Sequence, residues 1–503
     1  MKITDISNEK QLWLDKGYEV FSYDREKMIE KTKAEPEWIH FGAGNLFRAF
    51  QAVFCDKLLD AGVLEKGIIA VGGRDSAAID DYFRKFDNLH IAVTLKGNGD
   101  VTKRVVGSIA ESLKIEDEER LKELFEKESL KVCSFTVTEK GYVVSENDTD
   151  EAFMAKVTAL VHHRYLHGGY PLTLNSHDNC SHNGDVLKKA IVFFAKRYSD
   201  EGFINYIEEK VSFPISMIDK ITPRPNTKIA QILKDDGVED LEGLDPNHYM
   251  SCFVNAEEAQ YLVIEDKFAN GRPAWEKGGI IFTDRETVDK VEKMKVGTCL
   301  NPVHTALAVY GCLLDHQLIC DEMKDEELNK LARHVGYDEG LPVVVDPKIL
   351  DPKEFIDTVI NDRLPNPYMP DSPFRIAMDT SQKLPVRFGE TLKAYLAKGE
   401  DISKLTYIPL VFAGWLRYLN GINDKGENFE IPSDPRLNEM KAILGDVKLG
   451  DSVTEEKILA ILKDKTIFGV DLQETGLAKK VVAYLNEELK GVGAVRETLK
   501  KYL

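Results

Sequence analysis

The most constraining feature of this sequence is an alternation. Over roughly the first 285 residues, short apolar runs bounded by glycine and polar residues alternate with stretches of helical periodicity. "WIHF" (Trp38–Phe41), "GIIAVGGRD" (67–75), "HIAVTL", "LKVCSFTV" and "PLTLNS" are too short for buried helices and read as strands. Gln260–Ile264 and Gly279–Thr283 read the same way. Phe47–Ala61, Glu116–Lys127 and Asp185–Arg197 are helical between them. This order predicts an α/β, doubly wound, mostly parallel sheet. After Thr283 the texture changes. Asp284–Leu300, His304–His316, Asp325–Val335, Pro352–Ile360, Phe388–Ala397, Ile402–Leu419 and Ala478–Leu489 all carry helical periodicity. "LPVVVD" (341–346) is the main strand candidate there. The boundary falls near 285–295, giving an α/β domain over 1–290 and a largely α-helical domain over 291–503.

Composition narrows the partners. The chain is 43% hydrophobic and 30% charged, which suits a packed core, and its formal charge is −19. Nucleic acid and anionic membranes are therefore excluded as expected partners. An anionic small molecule is not, because a local Lys/Arg cluster dominates at short range. The start, "MKITDISNEKQLWLDKGYEV", lacks a signal-type apolar core, and no run of ~18 apolar residues occurs. A cytoplasmic protein, monomeric or a small homo-oligomer, is expected. Seven cysteines without a CxxC pair or a short Cys/His cluster of zinc spacing indicate reduced thiols, and no metal is expected.

"IHFGAGNLFRAF" (39–50) runs from a strand through Gly42 and Gly44 into a helical pattern. A dinucleotide fingerprint has a third glycine where this chain has Phe47. An acidic residue at the end of the second strand, Asp75, suits the ribose hydroxyls, although it lies 31 residues past Gly44 and Arg74 beside it suits a 2′-phosphate. The alternative is that both simply cap the next helix. Further polar stretches follow strand candidates: "TVTEKGY" (136–142), "NSHDNCSHNGD" (175–185), "FPISMIDKITPRP" (213–225), and "KVGTCLNPVHTALAVYG" (295–311) at the domain change. Ends of this kind line the ligand crevice of open α/β sheets.

The ordered set "HFGAGNLFRAFQA", "TVTEKGY", "DNCSHNG", "FPISMIDKITP", "VIEDKF" and the Lys–Asn–His stretch resembles the polyol-specific long-chain dehydrogenase/reductase family over about residues 36–425. The resemblance implies a Rossmann-type N-terminal domain, a helical C-terminal domain, NAD(H) or NADP(H), and no catalytic zinc. It places Gly42, Gly44, Asn45, Leu46, Phe47 and Glu139 at the cofactor, with Asp75 favouring NAD. It places Asn179 and Asp219 in the substrate pocket, and Lys295, Asn301 and His304 at the chemistry. The family pattern has four residues between lysine and asparagine. Here there are five, so Lys293 competes with Lys295, which is preferred because it follows Met294 as in the family.

These residue types fit oxidation of a secondary alcohol. A lysine whose pKa is lowered by burial takes the hydroxyl proton. Asn301 and His304, three apart on a helix that Asn301–Pro302 can start, face an oxygen that becomes alkoxide-like. A buried substrate carboxylate needs a cation. "SPFRIAMDTSQKLPVRFGET" (372–391) offers Arg375, Lys383 and Arg387, of which Lys383 and Arg387 are taken as substrate ligands. Within the family this wording is most similar to the members that reduce fructuronate. The expected reaction is therefore NADH-dependent, reversible reduction of D-fructuronate to D-mannonate. Tagaturonate reduction, a mannitol 2-dehydrogenase activity and a non-catalytic sugar-acid-binding or nucleotide-binding protein stay open.

Overall fold

A computed structural model describes residues 1–73, 77–239, 241, 250–445 and 447–503. The chain divides into two compact units: Met1–Lys96 with Asp100–Val288, and Asp289–Leu503 with Gly97–Gly99.

The first unit is built on a six-stranded, all-parallel sheet. Its spatial order is Ile109–Leu113, Ile68–Val71, Trp38–Phe41, Val132–Phe135, Leu172–Ser176 and Val211–Ser212. In chain order this is 3-2-1-4-5-6, the doubly wound arrangement. Trp38–Phe41 is buried on both faces, as parallel strands under helices must be. The period of two splits its side chains: Ile39 and Phe41 join the core under the helices Glu118–Phe125, Phe153–Leu166 and Asn183–Ala195, while Trp38 joins the opposite core with Phe54 and Trp275. The strand order reverses between Trp38–Phe41 and Val132–Phe135. Ligand crevices of such sheets lie at the carboxyl ends of strands at that reversal.

Not every expected strand enters this sheet. His90–Leu95 pairs antiparallel with Val101–Val106 and parallel with Phe253–Glu257 in a separate four-stranded sheet. Tyr261–Glu265 pairs antiparallel with Ser216–Asp219 and parallel with Ile281–Thr283 in a three-stranded one. The helix expected over Phe47–Ala61 is two helices, Asn45–Ala49 and Gln51–Asp60, because Phe50 leaves helical geometry (φ −123°, ψ −71°).

The second unit is helical around one core. Asn301–Leu313 and Tyr407–Tyr418 are apolar nearly all round and therefore sit at its centre. The latter helix has no side-chain cap of its own. The buried Glu339 carboxylate accepts from the amides of Thr406 (2.5 Å), Tyr407 (2.9 Å) and Ile408 (2.7 Å) instead. "LPVVVD" is not a strand. Leu341–Val343 is a 3₁₀ turn continuing a π-helical stretch, since Pro342 fixes a helical φ and cannot donate to a ladder. Val343 is buried, and Leu341 and Val344 pack on the helical core without a strand partner.

π-helical turns recur in this unit at Lys295–Cys299, His334–Gly340, Val359–Arg363 and Pro385–Gly389. A π turn carries one residue more than an α turn and is frequent at functional sites. Three of these four contain Lys295, Arg363 or Arg387.

Candidate functional site

In the first unit, the carboxyl end of Trp38–Phe41 turns through Gly42 into the short helix Asn45–Ala49, with Gly44 as its N-cap. Gly42 has φ +96°, and a Cβ there would stand 2.1 Å from the Thr136 carbonyl oxygen, so only glycine fits. Gly44 differs. A Cβ on it would meet only the Gly42 carbonyl oxygen at 3.9 Å, so the loop is open where a ligand's phosphates must approach. Both properties fit a dinucleotide cradle.

A hydrogen-bond relay fixes the loop from below. Trp38 Nε1–H donates to Ser134 Oγ (2.7 Å), and Ser134 pairs with His40 Nδ1 (2.7 Å). His40 Nε2 meets Thr136 Oγ1 (2.8 Å), which donates to the Gly42 carbonyl (2.9 Å). Only the tautomer with its proton on Nε2 satisfies every partner. Burial holds the His40 pKa far below its ordinary value, so the ring is neutral. Phe47 is fully buried and stacks on this imidazole at 4.3 Å, which is why the third glycine position carries an aromatic. The side chains of Asn45 and Phe47 are buried and Leu46 is half-buried; what the loop presents to a phosphate is backbone N–H.

The loops after the next two strands are tied together. The buried Asp178 carboxylate accepts from the amides of Val137 and Thr138, each at 2.9 Å, and from Tyr142 Oη at 2.5 Å. Thr138 takes φ +65°, and Glu139 beyond it is exposed at the start of a 3₁₀ turn. Asn179, next to Asp178, is exposed. Asp219 is buried at the end of Ser216–Asp219. Asp75 and Arg74 lie outside the described residues. Asp178 and the relay under Gly42 were not singled out in the sequence. "SHDN" carried a signal only as a dense polar run.

In the second unit, Lys295 opens the π turn that precedes Asn301–Leu313. The Leu300 amide donates to the Lys295 carbonyl at 3.1 Å, an i to i+5 bond. This turn absorbs the extra residue between Lys295 and Asn301. Thr391 Oγ1 donates to the Gly297 carbonyl within the turn (3.1 Å). The Lys295 side chain is buried, whereas Lys293 is exposed. Asn301 and His304 lie one turn apart at the start of the helix, with Pro302 in its first turn. His304 Nε2 stands 3.7 Å from Asp371 Oδ2. Burial lowers the His304 pKa well below the usual imidazole value. Asp371 opposes that shift, and the charges of Arg387, Arg375 and Arg363 add to it.

Of the nominated cations, Arg387 reaches this helix. Arg387 Nη1 donates to Thr305 Oγ1 (2.5 Å), and Thr305 donates to the Asn301 carbonyl (2.9 Å). Burial lowers the Arg387 pKa to about 10. Lys383 donates to the carbonyls of Ile376 (2.9 Å) and Met378, and burial together with Arg387 lowers its pKa to about 8. Arg375 is exposed and pairs with Asp371. Arg363, buried at the end of a π turn, was missed in the sequence because only folding brings its charge to bear on His304.

Among the described residues no helix is long and apolar enough to cross a membrane. The family model described as the mannitol dehydrogenase Rossmann domain matches residues 36–277, and that of the mannitol dehydrogenase C-terminal domain matches 287–490. A D-mannonate oxidoreductase of Thermotoga maritima is 43% identical, the match covering 98% of this chain and 97% of that protein. Among solved structures, a substrate-free D-sorbitol dehydrogenase is similar at a TM-score of 0.79 and 27% identity, covering 95% of this chain and 97% of that one. A ternary complex of Pseudomonas fluorescens mannitol 2-dehydrogenase with NAD and D-mannitol gives 0.68 and 28%, covering 96% of each chain. An α/β unit with a glycine cradle at its strand reversal, and a helical unit carrying the Lys–Asn–His set, are thus the two halves of a known oxidoreductase architecture, and the chain belongs to the mannitol dehydrogenase family.

Proposed function

We propose that this protein is an NAD-dependent oxidoreductase that interconverts D-mannonate and D-fructuronate. The observation that carries the sugar-acid reading is the placement of two arginines beside His304: Arg387 donates to the adjacent Thr305, and Arg375 pairs with Asp371, which faces His304 at 3.7 Å. A neutral polyol needs no such charge, whereas a carboxylate withdrawn from water does. The 43% identity to a D-mannonate oxidoreductase supports the same substrate.

NAD(H), when bound, supplies or accepts the hydride. The amides of Asn45, Leu46 and Phe47 at the helix start are the groups that would hold its pyrophosphate. In the reducing direction the Lys295 ammonium gives its proton to the ketone oxygen as that oxygen gains charge. In the oxidising direction the amine takes the hydroxyl proton back. The Asn301 amide donates to the same oxygen. His304, held neutral by burial and by the arginines, is a hydrogen-bonding group here and not a second cation. Arg387 and Lys383 hold the carboxylate.

NADH consumption measured over fructuronate, tagaturonate and fructose tests this. Fructuronate is expected to give the highest kcat/KM. Faster turnover of tagaturonate would move the assignment within the sugar acids, and faster turnover of fructose would refute the role given to the arginines.

A further inference from the structure

We infer that the first unit carries a divalent transition-metal site, of the zinc class, made by Glu126, His163 and His167. One ligand atom from each lies within 4.8 Å of the others. "HHRYLH" (162–167) places His163 and His167 four apart at the end of the helix Phe153–Leu166, on one face. Their rings stack at 3.9 Å. Glu126 ends the neighbouring helix Glu118–Phe125, and its Oε1 is 2.8 Å from His163 Nε2.

The geometry suits a metal on several independent counts. His167 Nδ1 lies 2.8 Å from the His163 carbonyl oxygen, which can only accept. The proton is therefore on Nδ1, and Nε2 keeps its lone pair outward. A carbonyl behind the ring is the usual support of a metal-binding histidine. Ligand atoms on tetrahedral zinc lie about 3.3 Å apart, so a rearrangement of rotamers within this cluster suffices. Both helices end here, and the negative ends of their dipoles favour a cation.

The backbone is also rigid where the ligands leave it. Arg164, between the two histidines, is fully buried. Its five N–H groups reach the carbonyls of Phe125 (2.7 Å), Lys127 (2.8 Å), Leu130 (3.0 Å), Tyr170 (2.9 Å) and Pro171 (3.0 Å). Phe125 and Lys127 flank Glu126, so the same guanidinium clamps the chain on both sides of one ligand and adjoins another. His163 is partly covered, while Glu126 and His167 are exposed, which leaves an open coordination position for water. Cys/His spacing, on which the expectation of no metal rests, does not register a carboxylate 37 residues upstream of His163.

The site stands before the amino ends of Val132–Phe135 and Leu172–Ser176, whereas Gly42 follows the carboxyl end of the adjoining parallel strand. A bound ion therefore links two helices at the opposite end of the sheet from the cofactor cradle, as a staple with no part in turnover.

Titrating the full-length protein with zinc chloride in a non-chelating buffer, by calorimetry and thermal unfolding, tests this. One zinc per chain is expected, with Kd on the order of micromolar and a rise in Tm as zinc saturates. His167→Ala and Glu126→Gln change exposed side chains, and each should weaken binding by about tenfold or more without altering NADH turnover in the absence of zinc. No binding to the wild-type chain overturns the inference. So does unchanged affinity in both variants, which would place the ion elsewhere.

Discussion

Gly42 and Gly44 stand two residues apart in one loop, yet the structure assigns them opposite sensitivities. Gly42→Ala puts a methyl group on a backbone at φ +96° and 2.1 Å from the Thr136 carbonyl oxygen. The left-handed conformation costs about 1–2 kcal/mol, and pushing the neighbouring strand end aside costs about 1–3 kcal/mol more. The total, about 2–5 kcal/mol, corresponds to a fall of about 5–10 °C in the unfolding temperature of the first unit. Gly44→Val enters extended backbone (φ −100°, ψ −167°) that any residue adopts, and its Cβ would meet nothing closer than 3.9 Å. Stability should fall by no more than about 1 kcal/mol, the cost of an apolar residue at this N-cap. The valine does occupy the space over the helix start. Loss of two charge-assisted hydrogen bonds there, about 1.5 kcal/mol each, raises the NADH Kd on the order of 100-fold. Thermal unfolding and a fluorescence titration with NADH, run on both variants, separate the effects. If Gly44→Val binds NADH as the wild type does, the cradle has been misread. If Gly42→Ala melts normally, the steric argument is wrong.

Three further outcomes follow from the second unit. Lys295→Ala should lower kcat by roughly 10²–10⁴-fold with NADH affinity retained, while Lys293→Ala, at an exposed position, should behave as wild type; the reverse pattern in steady-state kinetics would make Lys293 the base. Arg387→Leu should raise KM for the uronate by at least about tenfold, the loss of a charge-assisted bond, and leave polyol turnover comparatively untouched; equal losses on both substrates would show that Arg387 only supports Thr305. Burial raises the Glu488 pKa to about 8, well above the ~4.3 of an unfolded glutamate. Its stabilising protonation is therefore complete below about pH 4 and is lost as pH rises through 8. Tyr310 Oη lies 2.7 Å from Glu488 Oε1 and 2.8 Å from the Leu410 carbonyl; a protonated Glu488 donates to this hydroxyl, whose single proton then goes to Leu410. Glu488→Gln should thus gain Tm relative to wild type on going from pH 5 to pH 9, and a constant difference across that range would refute the assignment.

Periodicity in the sequence determined the α/β-then-α order, and glycine chemistry located the loop, because both are local properties of the chain. The ordered motifs carried the family and nominated Lys295, Asn301, His304, Lys383 and Arg387. What folding alone decided is which of these residues meet. "HIAVTL" and "QYLVIE" are strands by composition, but pairing is a non-local choice, and each went to its own sheet. "LPVVVD" is apolar enough for a strand, yet Pro342 and the preceding π turn made it part of a helical core. The extra residue before Asn301 looked like a defect in spacing and is a π turn that buries Lys295 and leaves Lys293 outside. Arg363, Asp371 and Arg387 lie 59 to 83 residues beyond His304 along the chain, and their charges reach it only because π-helical turns and short helices bring them to its helix start. Glu126 and the HHRYLH run are joined in the same way, by Arg164 gathering carbonyls from two loops. Electrostatic fields and ligand sets depend on distance in space, which a one-dimensional pattern does not encode.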